Sequence, residues 1–367
     1  MDIMSDRRKT HTVKAGNVVI GSGHPVIIQS MTNTVTSDVR STVDQIRRLR
    51  GQGCEMVRVA VKTGEDAGCL GDIREEISIP LVADIHFDHE LALRAIESGA
   101  DKIRINPGNM RKKGLEKVIS AAAAADIPIR IGVNSGSLTE MRRGVSDGAT
   151  RMADKVSEYL ELFHSMNFRE IVISLKASDV ATTVEAYRIM AGRCDHPLHV
   201  GVTAAGPLMD GVVRSSMGIG ALLLEGIGDT VRVSLTADPV EEVRTARRIL
   251  SAAGIRRFGH EIISCPTCGR CQVDLVPIVR ELESELERDP RSGTGDVDRR
   301  FLIAIMGCEV NGPGEAEAAD IGIAFGGGRA ALFREGEIVK TVEARSAVRE
   351  LLLMLREMEE GGQDRTR

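Results

Sequence analysis

Lys102-Ile103-Arg104-Ile105-Asn106-Pro107-Gly108-Asn109 sets the architecture: a short run of β-branched residues around an arginine, stopped by a polar Pro-Gly turn. A run of that length bounded by turn residues reads as a strand. Moving outward, comparable runs stand at residues 26–31, 56–61, 80–85, 128–134, 170–176, 198–203 and 230–235, which with 102–106 make eight. Most precede an amphipathic stretch. Residues 42–53 carry Val43, Ile46 and Leu49 on one stripe, and 239–253 carry Val240, Val243, Ala246, Ile249 and Leu250. Eight βα units in roughly 240 residues are the arithmetic of a closed (β/α)8 TIM-type barrel. An open doubly wound sheet is the alternative, but no G-x-G-x-x-G fingerprint follows the first strand to support it.

After Gly254 the pattern changes. A turn at 265–270, a helix at 273–286, a polar loop at 289–298 and a strand at 301–306 lead into the Asn311-Gly312-Pro313-Gly314 loop. A strand at 321–325, a hairpin around Glu335-Gly336-Glu337 and a helix at 347–360 complete a small α/β domain. The expected organisation is a barrel over 1–255 and a second domain over 256–367.

Composition narrows the function. The 367 residues hold 48 Lys plus Arg against 53 Asp plus Glu, a net charge of −5, which argues against a nucleic-acid partner. At 42% hydrophobic and 28% charged the chain can bury a proper core. With no Trp and two Tyr there is little material for stacking bases, while 38 glycines favour tight turns and close approach to a ligand. No run reaches the roughly 20 apolar residues of a membrane span, and the polar start has no signal-peptide core, so a cytoplasmic location is expected. Seven cysteines are too few for a disulfide scaffold. Cys54, Cys69 and Cys194 are scattered and read as small core or surface residues. The other four, Cys265, Cys268, Cys271 and Cys308, gather in the last third and point to metal.

The strand signatures Val57-Arg58-Val59, Ile103-Arg104-Ile105, Ile129-Arg130-Ile131 and Val231-Arg232-Val233 each put a guanidinium among β-branched residues. Such a charge is costly to desolvate and needs a partner. Asp84 is one internal candidate, and structural ion pairs near the barrel mouth are the alternative reading of any single arginine. Four such strands, with Lys176 ending the sixth, exceed the carboxylates visible at strand ends, so an anionic ligand is expected, most simply a phosphate or diphosphate. Gln29, Asp84, His86, Asn106, Asn134 and Thr203 lie at or past C-terminal strand ends, where barrel enzymes keep their sites. Asn134-Ser135-Gly136-Ser137, residues 203–206 and Gly218-Ile219-Gly220 are small-residue loops whose N–H groups suit phosphate oxygens, the last read as opening a helix.

Cys265-Pro266-Thr267-Cys268 places two thiolates on one turn, and Cys308 lies inside Met306-Gly307-Cys308-Glu309-Val310-Asn311-Gly312-Pro313-Gly314-Glu315. Three cysteines and an undecided fourth ligand favour an iron–sulfur cluster with one differently ligated iron over a closed structural zinc. From the residues alone the fourth ligand is Cys271 or a carboxylate.

Residues 264–270 together with 306–315 resemble the iron–sulfur domain of the 4-hydroxy-3-methylbut-2-enyl diphosphate synthase family of the non-mevalonate (MEP) isoprenoid pathway. The stretches 29–34, 83–87, 105–109 and 225–230 resemble that family's strand-end motifs in the same order, and the match runs from about Thr12 to Met358. The resemblance implies two-electron reduction of 2-C-methyl-D-erythritol 2,4-cyclodiphosphate, with ring opening and loss of water. It implies one 4Fe-4S cluster per subunit held by Cys265, Cys268, Cys308 and Glu315, the carboxylate marking the exchangeable iron. Arg58, Arg104, Arg130 and Lys176 would grip the diphosphate, with Asp84, His86 and Asn134 around the methylerythritol part. A homodimer and an external electron donor, ferredoxin or flavodoxin, are implied as well. The chain departs from the family in two places. Thr203-Ala204-Ala205-Gly206 stands where Thr-Glu-Ala-Gly is usual, removing a candidate acid or base, and Cys271, read as a bystander, stands where other residues are usual.

Overall fold

A computed structural model describes residues 7–134, 136, 145–288, 301–308 and 318–360. The chain divides between Arg256 and Arg257 into two compact units.

The first unit opens with an antiparallel hairpin, β1 (Val13–Ala15) and β2 (Val18–Ile20). Eight parallel strands follow: β3 (Ile27–Met31), β4 (Met56–Ala60), β5 (Leu81–Ile85), β6 (Lys102–Ile105), β7 (Ile129–Asn134), β8 (Ile171–Lys176), β9 (His199–Val200) and β10 (Thr230–Val231). Their order is β8-β7-β6-β5-β4-β3-β10-β9, and a parallel bridge from Ile173 to Leu198 joins the two ends, which closes the barrel. Each strand lies within a stretch expected from sequence. The last two pair over two residues only, against six expected, and just beyond them the backbones approach closely: a Cβ at Gly201 would stand 2.3 Å from the Arg232 carbonyl oxygen.

The surrounding helices form for ordinary reasons. In Val39–Gly51 the Asp38 carboxylate accepts from the Ser41 N–H, and the buried stripe is Val43, Ile46 and Leu49. Pro239–Ala252 starts with Asp238 as N-cap and proline in its first turn. Val13, Ala15 and Ile20 of the hairpin pack against Ile27, Met56, Val82 and Val172, so the N-terminal end of the barrel is plugged with apolar side chains. The C-terminal end is where barrels of this kind keep their sites.

The second unit is a mixed sheet of β11 (Glu261–Ser264), β12 (Leu302–Met306), β13 (Ile321–Gly326), β14 (Arg329–Arg334) and β15 (Glu337–Glu343), in that order. The first three are parallel and the last two antiparallel. Helices Leu275–Arg288 and Ala347–Glu360 flank it, burying Leu282, Leu351 and Leu355 with Ile303, Ile323 and Phe325 of the sheet. The expected hairpin is β14–β15, turning through Glu335 and Gly336 at φ of 50° and 81°. β11 lies in the stretch before Cys265, where the sequence pattern gives no strand. The expected loops at 289–298 and 311–314 lie outside the described residues.

Candidate functional site

Strand alternation turns every second side chain into the barrel, and below its mouth that layer is charged where a barrel core is ordinarily apolar. Asp84, Arg104 and Arg130 stand side by side on β5, β6 and β7. All three are buried, as are Arg58, Lys102 and Lys176. The fit is close. A Cβ at Gly132 would stand 2.7 Å from Arg104 Nε, so only glycine leaves room there.

The ion pairs are few. Arg104 Nη1 lies 3.0 Å from Asp84 Oδ1, and Arg58 Nη1 lies 3.7 Å from Asp84 Oδ2. Arg232 Nη2 is 3.4 Å from Glu242, which reaches back from the helix after β10 and also accepts from Ser30 Oγ at 3.1 Å. Among the described residues Lys102 Nζ meets only the Met56 thioether, at 2.9 Å. Among the described residues Arg130 and Lys176 have no carboxylate within ion-pair distance, and Arg130 Nε and Nη1 have no hydrogen-bond partner. Six cations thus face two carboxylates. Uncompensated buried charge costs on the order of several kcal/mol per ion. A site that keeps such charges in place is arranged for an anion that brings the missing negative charge.

The electrostatics follow. Burial would raise the Asp84 carboxyl, but Arg58, His86 and Arg104 together outweigh it and hold it well below the ordinary carboxylate range. Burial, then repulsion from Arg130, Arg232, Arg58 and Arg104, pushes the Lys176 ammonium well below its ordinary value. Arg130 and Lys102 are lowered by burial and neighbouring cations in the same way. Arg58 falls to about 10, chiefly through burial. His86, half-exposed at the rim, has Nε2 2.6 Å from Arg104 Nη1 and 3.4 Å from Asp84 Oδ2.

Of the residues expected from sequence, Arg58, Asp84, His86, Arg104, Arg130 and Lys176 come together here. Asn134 ends β7, half-buried. Gln29 is buried with both amide atoms unpartnered, so it can still serve a ligand. Asn106 serves the fold: its side chain accepts from the Gly108 N–H at 3.3 Å and caps the turn Pro107–Asn109. Ala204 is exposed in the left-handed region at φ 49°. One expectation is corrected. Gly218-Ile219-Gly220 lies well inside helix Leu208–Leu224, where N–H groups are taken up by the preceding turns and cannot hold phosphate. Ser135 and Ser137 lie outside the described residues. Sequence reasoning missed Lys102, which the strand pattern gives only as a strand residue, and Glu242, whose position in a first helical turn looks like ordinary helix chemistry.

In the second unit, β11 and β12 run side by side and each leads into a cysteine. The Cys265 N–H donates to the Ile305 carbonyl at 3.2 Å, and the Gly307 N–H donates to Cys265 Sγ at 3.2 Å. Cys265 and Cys308 are buried, while Cys268 is exposed. The Arg270 backbone N–H, directed at the Cys268 sulfur, lowers that thiol. Three thiols from the ends of adjacent strands, one of them already accepting an N–H···S bond, fit the donor chemistry of an iron–sulfur cluster. No three metal-binding side chains among the described residues converge on a single ion. Glu315 lies outside the described residues. The scattered cysteines are ordinary: Cys54 is buried with its thiol pushed up to about 12 by burial, and Cys69 and Cys194 are half-buried.

Two family models match the chain, the GcpE TIM-barrel domain over residues 10–247 and the GcpE protein C-terminal domain over 261–357. Relatives named 4-hydroxy-3-methylbut-2-en-1-yl diphosphate synthase (flavodoxin) include one from Caldanaerobacter subterraneus, 47% identical over 96% of this chain and 98% of its own length. Another, from Thermodesulfovibrio yellowstonii, is 48% identical over 96% of this chain and all of its own. A third, from Nitratidesulfovibrio vulgaris, is 48% identical over 93% and 87%. Among solved structures, dihydropteroate synthase from Stenotrophomonas maltophilia aligns with a TM-score of 0.51 at 15% identity, over 67% of this chain and 99% of that one. That likeness bears on the barrel fold alone.

Proposed function

The chain belongs to the GcpE family and is an oxidoreductase of isoprenoid biosynthesis, opening 2-C-methyl-D-erythritol 2,4-cyclodiphosphate reductively to (E)-4-hydroxy-3-methylbut-2-enyl diphosphate; we propose how its own residues divide that work. Residues 1–255 form the substrate domain and 256–367 the cluster domain. Arg58, Arg104, Arg130 and Lys176 bind the cyclic diphosphate, and the observation that carries this assignment is the pair of buried cations, Arg130 and Lys176, with no carboxylate of their own. Asp84 and His86 hold Arg104 in place and, with Asn134, bound the space for the methylerythritol carbons.

Cys265, Cys268, Cys308 and Glu315 would hold a 4Fe-4S cluster, which when bound supplies electrons one at a time. Opening the ring takes up two electrons and two protons and releases one water. His86, half-exposed at the rim beside Asp84, takes the part that a carboxylate at position 204 would otherwise play. Electrons come from flavodoxin or ferredoxin.

The working unit is a homodimer in the cytoplasm. Met209, Val213, Met217 and Leu224 form an exposed stripe along helix Leu208–Leu224, which a second copy of the chain would cover. Sedimentation of wild type as a dimer and of Met217→Glu as a monomer would support that surface, and a dimeric Met217→Glu would remove it.

The test of the functional reading is anaerobic purification, iron and sulfide analysis, and turnover of the cyclic diphosphate with reduced flavodoxin. About four irons and four sulfides per chain with formation of the linear diphosphate are expected. One colourless zinc and no turnover would overturn it.

A further inference from the structure

The cations share the barrel interior with two neutral polar side chains that the fold does not use up. His199 of β9 is fully buried, and burial first, then the charges of Lys176, Arg130, Lys102 and Arg58, hold its imidazole well below the ordinary value, so the ring is neutral. Its Nδ1 lies 2.7 Å from the hydroxyl of Thr230, its register partner on β10, and its carbonyl accepts from the Tyr187 hydroxyl at 2.5 Å. Ring and backbone are thereby held, while Nε2 has no hydrogen-bond partner among the described residues. Two positions on along the same face of the chain is Gly201, where a Cβ would stand 2.7 Å from Lys176 Nζ, so imidazole and amine share one wall of the barrel. Gln29 of β3 follows Ile27 of the apolar plug by two positions and so faces inward too. It is 1% exposed, and both of its amide atoms lack a partner among the described residues.

Buried polar atoms without partners are costly, and two such side chains beside cations that outnumber their carboxylates have one explanation in common. Oxygen atoms of an anion accept hydrogen bonds, and a neutral donor adds one without adding to the repulsion among the cations, which a further charged side chain would increase. With the Thr230 hydroxyl donating to Nδ1, the imidazole proton sits on Nε2, and the Gln29 amide has two N–H groups to offer. We infer that His199 and Gln29 are specificity-determining residues of the substrate site, giving neutral hydrogen bonds to the diphosphate oxygens that reach furthest into the barrel. This deepens the reading of the barrel interior as the diphosphate site and rests on it. The cations attract any anion of sufficient charge. Directed donors at fixed places on β3 and β9 favour a two-phosphate group over a single phosphate, which cannot meet the cations and both donors at once.

The experiment titrates anaerobically purified full-length wild type, Gln29→Leu, His199→Leu and His199→Gln calorimetrically with inorganic diphosphate and with inorganic phosphate, and measures KM for the cyclic diphosphate across pH. Each Leu variant is expected to weaken diphosphate binding and raise KM about tenfold, with a smaller effect on phosphate, so that the preference for diphosphate narrows. His199→Gln keeps a neutral N–H and should stay close to wild type, with the same pH dependence of KM. Equal weakening of both anions in His199→Leu, together with a lower melting temperature, would make the histidine a lock between β9 and β10 and overturn the inference. A changed pH profile in His199→Gln would make the imidazole a proton carrier and overturn it too. If His199→Leu does not fold, Gln29→Leu decides, and an unchanged preference there overturns the inference. Unchanged diphosphate binding in both Leu variants, with Lys176→Met still weakened, would remove these two residues and leave the cation site standing. Unchanged binding in Lys176→Met as well would mean that the barrel interior is not the diphosphate site.

Discussion

The barrel interior and the cysteine module solve opposite problems. In the barrel the proposed ligand-binding groups are fixed by strand register and packed against one another. In the second unit the expected ligands sit on loops past strand ends, one of them exposed, and they acquire a common purpose only around a cofactor. The barrel stores unfavourable electrostatic energy that an anion relieves. The cysteine loops store little, and stability there depends on the group they bind. Substitutions in the two regions should therefore fail differently.

The largest contrast is Cys308→Ala. Turnover should vanish with the iron, yet the variant should bind the cyclic diphosphate as wild type does if the two regions are built independently. Calorimetric titration checks this, and a loss of binding would break the comparison.

Next comes Asp84→Asn. One carboxylate serves Arg58 and Arg104, so removing its charge leaves two guanidiniums uncompensated, an expected loss of about 3–5 kcal/mol in denaturant unfolding. Because its folded carboxyl is depressed, the stability Asp84 contributes is complete above about pH 4 and is lost as pH falls further. The variant's stability should accordingly fall less on acidification than that of wild type.

Lys176→Met should act in the other direction on stability. Taking away a buried cation that has no carboxylate should raise the melting temperature while raising KM about 30-fold or more, consistent with about 2 kcal/mol or more for a charged contact. A variant that lost both stability and affinity would mean that Lys176 has an internal partner after all.

Much of this was legible in the sequence, for a physical reason. An arginine between β-branched residues has a period-two environment, and strand alternation then dictates that Arg58, Arg104 and Arg130 point the same way as one another. Eight such runs with helices between them leave few architectures open. Less legible were contacts that depend on tertiary placement. Glu242 neutralises Arg232 from a helix ten residues away, and no local pattern separates it from an ordinary helix-start glutamate. Gly218 and Gly220 mimic a phosphate loop, but their helix runs from Leu208, anchored by buried Ile219, Leu222 and Leu223. β11 is too short and too mixed to be seen without its neighbour β12, and the contact of Cys271 with Gly307 spans 36 positions of chain.

The central claim is that the barrel interior is a cation site waiting for a diphosphate. Titrating the cyclic diphosphate calorimetrically in two buffers of different ionisation enthalpy tests it most directly. Lys176 and Lys102 are depressed by burial and by neighbouring cations, and bound negative charge favours their protonated forms, so binding should take protons up from the buffer rather than release them. Proton release on binding, or no binding by a protein whose barrel is folded, would contradict it.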